Sequence, residues 1–96
     1  MPILQLEHGI KDFTMWKAAF DRDPIDRQGL GVRRHRVFRP IDDANYIMVE
    51  LEFDTIDQAE ACRTALGELW SSSTAAPALM DSPRTRIIEA VEDRKY

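Results

Sequence analysis

From Tyr46 to Phe53, in the run "YIMVELEF", every second side chain is large and apolar: Ile47, Val49, Leu51 and Phe53. The positions between them, Tyr46, Met48, Glu50 and Glu52, are amphipathic or charged. Successive side chains of a strand point to opposite faces, so this run specifies a sheet with two faces of different kinds. The apolar face must be covered, and the chain on either side supplies two helices to cover it.

The first strand is "PILQLEHG" (2–9), which sets Leu4, Leu6 and His8 on one face and Ile3, Gln5 and Glu7 on the other. In "DFTMWKAAFD" (12–21) the period changes: Phe13, Trp16 and Phe20 fall at helical spacing behind Asp12, a good N-cap. "RDPIDRQGLG" (22–31) has no period. At about ten residues it exceeds the usual two to six of a connection, which predicts that it contacts something. "VRRHRVFR" (32–39) reads as a strand and "PIDDAN" (40–45) as a turn leading into the run at 46–53. "TIDQAEACRTALGELW" (55–70) is a helix opened by a Thr55–Gln58 capping box. One of its faces runs through Ile56, Ala59, Cys62 or Arg63, Leu66 and Trp70, and Gly67 weakens its last turn. "SSSTAAPALMDSP" (71–83) is loop-like, and "RTRIIEAVED" (84–93) supplies a fourth strand.

The order β-α-β-β-α-β is the α+β, ferredoxin-like arrangement. It places two helices on one face of a four-stranded antiparallel sheet, here as a single domain over residues 1–96. The other sheet face is left bare.

The totals narrow the function classes. Apolar residues make up 44% and charged residues 31%, a globular composition. No apolar run approaches the ~20 residues that cross a bilayer, and "MPILQLEHG" lacks the form of a signal peptide. A cytoplasmic protein without a membrane partner is expected. Cys62 is the sole cysteine, which excludes an internal disulfide and a multi-cysteine metal site. Net charge is 13 − 17 = −4, yet residues 31–40 hold four arginines and no carboxylate, so the remainder carries −8. A surface of that sign repels phosphates, and no nucleic-acid partner is expected.

The arginines fit a ladder. Pairing 32–39 with 46–53 so that facing numbers sum to 86 sets Arg34 against Glu52, Arg36 against Glu50 and Phe38 against Met48. Facing opposite charges contribute roughly 0.2–1 kcal/mol per pair. The same register puts Arg33 and His35 on the helix side, a flaw that a bulge in the arginine-rich strand would repair, although the sequence specifies no position for one. The bare face then carries Arg34, Arg36, Phe38, Tyr46, Met48, Glu50 and Glu52, a charge-compensated surface suited to a second sheet. Guanidinium donors left over by the carboxylates suit an anionic ligand.

The motifs "His8 … Asp12-Phe13 … Trp16-Lys17 … Phe20-Asp21 … Pro24 … Arg27", then "Gly31-Val32-Arg33 … Arg36-Val37-Phe38-Arg39", "Asp42-Asp43-Ala44-Asn45-Tyr46" and "Leu51-Glu52-Phe53-Asp54", span nearly the whole chain. Together they resemble small bacterial proteins of the dimeric α/β-barrel superfamily, the antibiotic-biosynthesis-monooxygenase-like and cyclase-like proteins. That resemblance implies a homodimer in which two sheets pack face to face, with ligand pockets between sheet and helices. It also implies chemistry without a cofactor on a small aromatic or polyketide-like compound. The haem-degrading branch fits poorly, because the only asparagine, Asn45, falls in the hairpin turn.

The candidate residues follow from parity and chemistry. His8 points to the helix side and is the acid–base candidate; its competing role is a buried histidine bonded to the loop or to Asp12. Arg36 and Arg34 are candidates for stabilising an enolate or phenolate, with Glu50 beside them. Trp16 and Trp70 would wall a planar substrate or simply pack. His35 reads as structural or solvent-facing, and two lone histidines make no metal site. The "SSST" run at 71–74 lacks the setting of a nucleophilic serine. Three classes of function remain: a cofactor-independent oxygenase or cyclase, a non-catalytic small-molecule-binding dimer, and a stress-related dimer without a ligand. A cavity reached by His8 and an arginine favours the first two; a solid core favours the third.

Overall fold

The computed structural model describes residues 1–71 and 83–96. Its elements run β1 (Ile3–Gly9), α1 (Phe13–Asp21), β2 (Arg34–Phe38), β3 (Tyr46–Glu52), α2 (Ile56–Trp70) and β4 (Arg84–Ile88). The strands form one antiparallel sheet in the order β2-β3-β1-β4. With both helices on one face, this is the ferredoxin-like arrangement read from the sequence.

Strand alternation sets the core. Leu4 and Leu6 of β1 and Ile47, Val49 and Leu51 of β3 are buried on the helix face, together with Phe53 just beyond β3. Trp16 of α1 and Ala59, Cys62 and Leu66 of α2 close over them. Both helices begin as the sequence implies. Asp12 accepts a hydrogen bond from the Met15 amide at 2.8 Å, and the Thr55–Gln58 capping box is fully formed. Ile56 departs from the expected stripe and is exposed, because it opens the first turn of α2 beyond the edge of the core.

The pairing of β2 with β3 follows the sum of 86 throughout: Arg34 faces Glu52, Arg36 faces Glu50 and Phe38 faces Met48. The bulge is absent, since five successive pairs hold one register. It is not needed. β2 is an edge strand, so His35 stays exposed on the helix side and lies edge-on to the Phe20 ring at 5.2 Å. Every strand is shorter than read, β1 and β3 by one residue each and the others by more: β2 keeps only 34–38 and β4 only 84–88.

The aperiodic segment after α1 does contact something. Asp23 and Asp26 adopt left-handed backbone, φ 52° and 57°, a conformation that aspartate tolerates better than most residues. Their side chains then tie the segment to itself. Asp23 Oδ1 accepts from the Arg27 amide at 2.9 Å and Asp26 Oδ1 from the Gly29 amide at 3.2 Å. Ile25, Leu30 and Val32 pack against the core, so the segment walls the space between α1 and the sheet. The "SSST" reading falls, apart from Ser71, outside the described residues.

Candidate functional site

A cavity of about 250 Å³ lies between the sheet and the helices. Its floor is Leu6 and His8 of β1 with Val49 and Leu51 of β3. Trp16, Ala19 and Phe20 of α1 form one wall, Leu66, Leu69 and Trp70 of α2 another, and Pro24, Ile25 and Arg27 the third. Among the described residues the lining is mostly carbon, and three side chains bring a charge or a titratable group to it: His8, Arg27 and Arg22, the last of them exposed.

His8 is the first. It is 1% exposed, placed on the buried parity of β1 beside the start of α1 by the alternation that buries Leu4 and Leu6. Its ring lies edge-on to Trp16 at 6.5 Å and to Trp70 at 6.4 Å between centroids. Its Nδ1 is 2.9 Å from the Gly9 carbonyl. A carbonyl oxygen only accepts, so Nδ1 carries a proton and donates it to Gly9.

Arg27 is the second. Its guanidinium lies over the Phe20 ring, 3.8 Å from the centroid, and Nη1 donates to the Phe20 carbonyl at 2.9 Å. Asp23 Oδ1 stands 3.5 Å from Nη1, an ion pair longer than a good hydrogen bond. The side chain is only 14% exposed. Phe20 stacks in turn on Trp16 at 5.0 Å, so an aromatic row runs from the arginine toward the histidine. The Arg27 charge is felt in the core: burial pushes the Cys62 thiol up to about 11, and the guanidinium partly opposes that rise.

The structure divides the residues singled out from the sequence. His8, Trp16 and Trp70 come together around the cavity. Arg34, Arg36 and Glu50 lie on the opposite face of the sheet, so the protomer does not bring these arginines to His8. There Arg36 Nη2 is 2.5 Å from Glu50 Oε1, and Arg34 Nε is 3.5 Å from Glu52 Oε2. The same face holds a polar chain in which Arg84 donates to the Tyr46 hydroxyl at 2.9 Å and that hydroxyl donates to Glu7 at 3.0 Å. Desolvation first, and the Glu7 carboxylate second, raise the Tyr46 phenol above its ordinary pKa.

Arg27 was missed as a cavity residue. It belongs to the motif string that carries the family resemblance, but the segment around it has no period from which to read a direction.

Sheet, helices and cavity together define a class: a ferredoxin-like α+β protein with a pocket between sheet and helix layer. The same fold occurs in SnoaB, a cofactor-independent oxygenase from Streptomyces nogalater solved as a point mutant, at TM-score 0.74 and 13% identity over 96% of this chain and 94% of that one. It occurs in a candidate antibiotic biosynthesis monooxygenase from Nitrosomonas europaea, at TM-score 0.63 and 14% identity over 96% and 100%. A dimeric ferredoxin-like protein from an uncultured marine organism shares it at TM-score 0.68 and 8% identity over 97% and 98%. The superfamily resemblance read from the motifs and these structures thus agree on the fold. No family model matches the sequence, and no curated protein matches it. Among the described residues, no helix is long and apolar enough to cross a membrane.

Proposed function

We propose that the protein is a homodimer that binds a small aromatic compound in the sheet–helix cavity and acts on it without a cofactor, as an oxygenase or cyclase. One observation carries this reading: a buried histidine opens its ring into an apolar cavity between two indoles. Packing alone gives no reason to keep both a basic group and an unfilled volume there, since interiors are close-packed. At about 250 Å³ the space falls just below the ~300–1,000 Å³ usual for small-molecule sites. It suits one or two rings rather than a tetracyclic compound.

The chemistry follows from the environment. His8 serves as the base that takes a proton from an acidic C–H or O–H group of the bound ring system, leaving an electron-rich anion. In an oxygenase that anion reacts with dioxygen, and a CH₂ group plus O₂ become C=O plus water. The substrate itself supplies the electrons, so the net reaction needs no external reductant. The dimer places the bare sheet face against its copy, because the helix layer covers only one side. Dimeric neighbours with the same fold support that arrangement.

The test is a panel of electron-rich one- and two-ring compounds such as naphthols and tetralones, followed by oxygen uptake, product formation and quenching of tryptophan fluorescence. Turnover that His8→Ala abolishes supports the reading. Turnover unchanged in His8→Ala refutes the role of the histidine. Binding without turnover across the panel moves the protein to the class of non-catalytic small-molecule binders, to which the same cavity belongs.

A further inference from the structure

We propose that Arg27 is the anion-recognising group of the cavity, so that the compound held there is a one- or two-ring aromatic acid with its carboxylate at the Arg27 end. This rests on the reading of the cavity as a ligand site and names the substrate class.

Three observations carry it. The first is the state of the guanidinium. Both of its polar contacts run through Nη1, one to the Phe20 carbonyl and one to Asp23. Among the described residues nothing accepts a hydrogen bond from Nε or Nη2, although an arginine presents five donors in a fixed plane. A partly buried cation with donors to spare, on the wall of a largely apolar cavity, is matched by an anion that accepts in that plane.

The second observation is orientation. The Phe20 ring holds the guanidinium at 3.8 Å, and Trp16 stacks on that same ring at 5.0 Å. An aromatic acid has its carboxylate joined directly to a flat ring, so one rigid molecule meets the cation at one end and the indoles at the other. His8, edge-on to Trp16, then stands over the ring rather than over the carboxylate.

The third is the route in. A shallow polar groove on the outside is lined by Arg27, Arg33, Arg34 and His35, with Asp23 as its one carboxylate among the lining residues. It shares Arg27 with the cavity. There Arg33 is paired with Asp54 at 3.8 Å and Arg34 with Glu52 at 3.5 Å, so Arg27, whose ion pair with Asp23 runs through Nη1, is the guanidinium of the groove that also faces the cavity.

The test compares 2-naphthoate with 2-naphthamide, which share size and shape and differ in charge. Binding to the full chain is measured at pH 7.5 by calorimetry and by tryptophan quenching. Native protein is expected to favour the acid by about tenfold or more, the usual range for a hydrogen bond to a charged group. Arg27→Gln should erase that preference. Asp23→Asn keeps an oxygen acceptor for the Arg27 amide and tolerates the left-handed backbone while removing the competing charge. It should raise the preference a further two- to fivefold, about the worth of one partly exposed ion pair. Equal affinities in the native protein, or a preference that survives Arg27→Gln, overturn the assignment while amide binding upholds the cavity. Failure of both compounds to bind the native protein overturns the cavity reading itself. If Arg27→Gln does not fold, Asp23→Asn decides: no gain for the acid overturns the proposal.

Discussion

Arg36 and Glu50 face one another across β2 and β3 with Nη2 2.5 Å from Oε1, and their side chains keep 44% and 23% exposure in the protomer. On an open sheet such a pair contributes roughly 0.2–1 kcal/mol. A second sheet laid over it removes the water that would otherwise solvate a lone partner. Breaking one half of a buried pair then costs about 3–5 kcal/mol. We expect a double-mutant cycle of Arg36→Met and Glu50→Gln, read by urea unfolding, to give a coupling above about 1 kcal/mol. A coupling near zero would mean that this face stays wet.

The same geometry predicts mass. Light scattering at micromolar concentration should return about twice the 11.1 kDa of one chain. The interface should bury roughly 2,000 Å² or more in total, as obligate dimers do. A particle of single-chain mass at that concentration would remove the dimer from the proposed function.

Gly31 joins the aperiodic segment to the start of α2. Its φ is +96°, and a Cβ there would come within 2.7 Å of Gln58 Nε2. Gln58 has little freedom to yield, because its Oε1 accepts from the Asp54 and Thr55 amides at 3.2 Å in the capping arrangement. Gly31→Ala therefore combines backbone strain with loss of a cap, each worth on the order of 1 kcal/mol or more. Thermal unfolding should show a loss of about 2 kcal/mol, the sum of those two effects. A melting temperature equal to that of the native protein would show that the capping arrangement adapts without cost.

Much of this architecture was legible because burial and charge agreed. Ile47, Val49 and Leu51 left only one parity for β3, and Glu50 and Glu52 on the other parity matched Arg36 and Arg34 in one register. The same alternation in β1 put His8 on the helix side, and helical spacing put Trp16 above it. Arg27 followed no such rule. Its direction is set by left-handed backbone at Asp23 and Asp26, a local choice that apolar periodicity does not encode. The idea of a bulge had a similar origin: parity alone put His35 under the helices, and only the strand order shows that β2 is an edge.

Cys62 gives a pH dependence with a definite sign. Burial raises its thiol from an ordinary 9.0 to about 11, with Arg27 pulling the other way. The unfolded chain loses this proton first, so between those two values the unfolded state binds fewer protons and stability falls as pH rises. Below about pH 9 the contribution is complete. Denaturant unfolding from about pH 8 to 11, the span of that loss, should show the native protein losing stability faster than Cys62→Ala. Parallel slopes for the two proteins would contradict the raised thiol.

Ala19 separates a ligand site from a packing defect. It lies on α1 and lines the cavity between Trp16 and Phe20. Leucine is a good helix former, and in Ala19→Leu the added carbons enter the empty volume without disturbing a polar group. If the volume were merely unfilled core, filling it would stabilise the fold and change nothing else. Cavity filling commonly adds about 0.5–2 kcal/mol. If the volume is the binding site, the same substitution takes the place of the ring system and removes its contacts with the indoles. We therefore expect Ala19→Leu to unfold at a higher temperature and to bind 2-naphthoate at least about tenfold more weakly, the effect of losing ~1.4 kcal/mol of contact. Greater stability with unchanged affinity would place the ligand elsewhere. Lower stability would show that the cavity walls do not yield, and Leu66→Phe, entering from α2, would then ask the same question from the opposite wall.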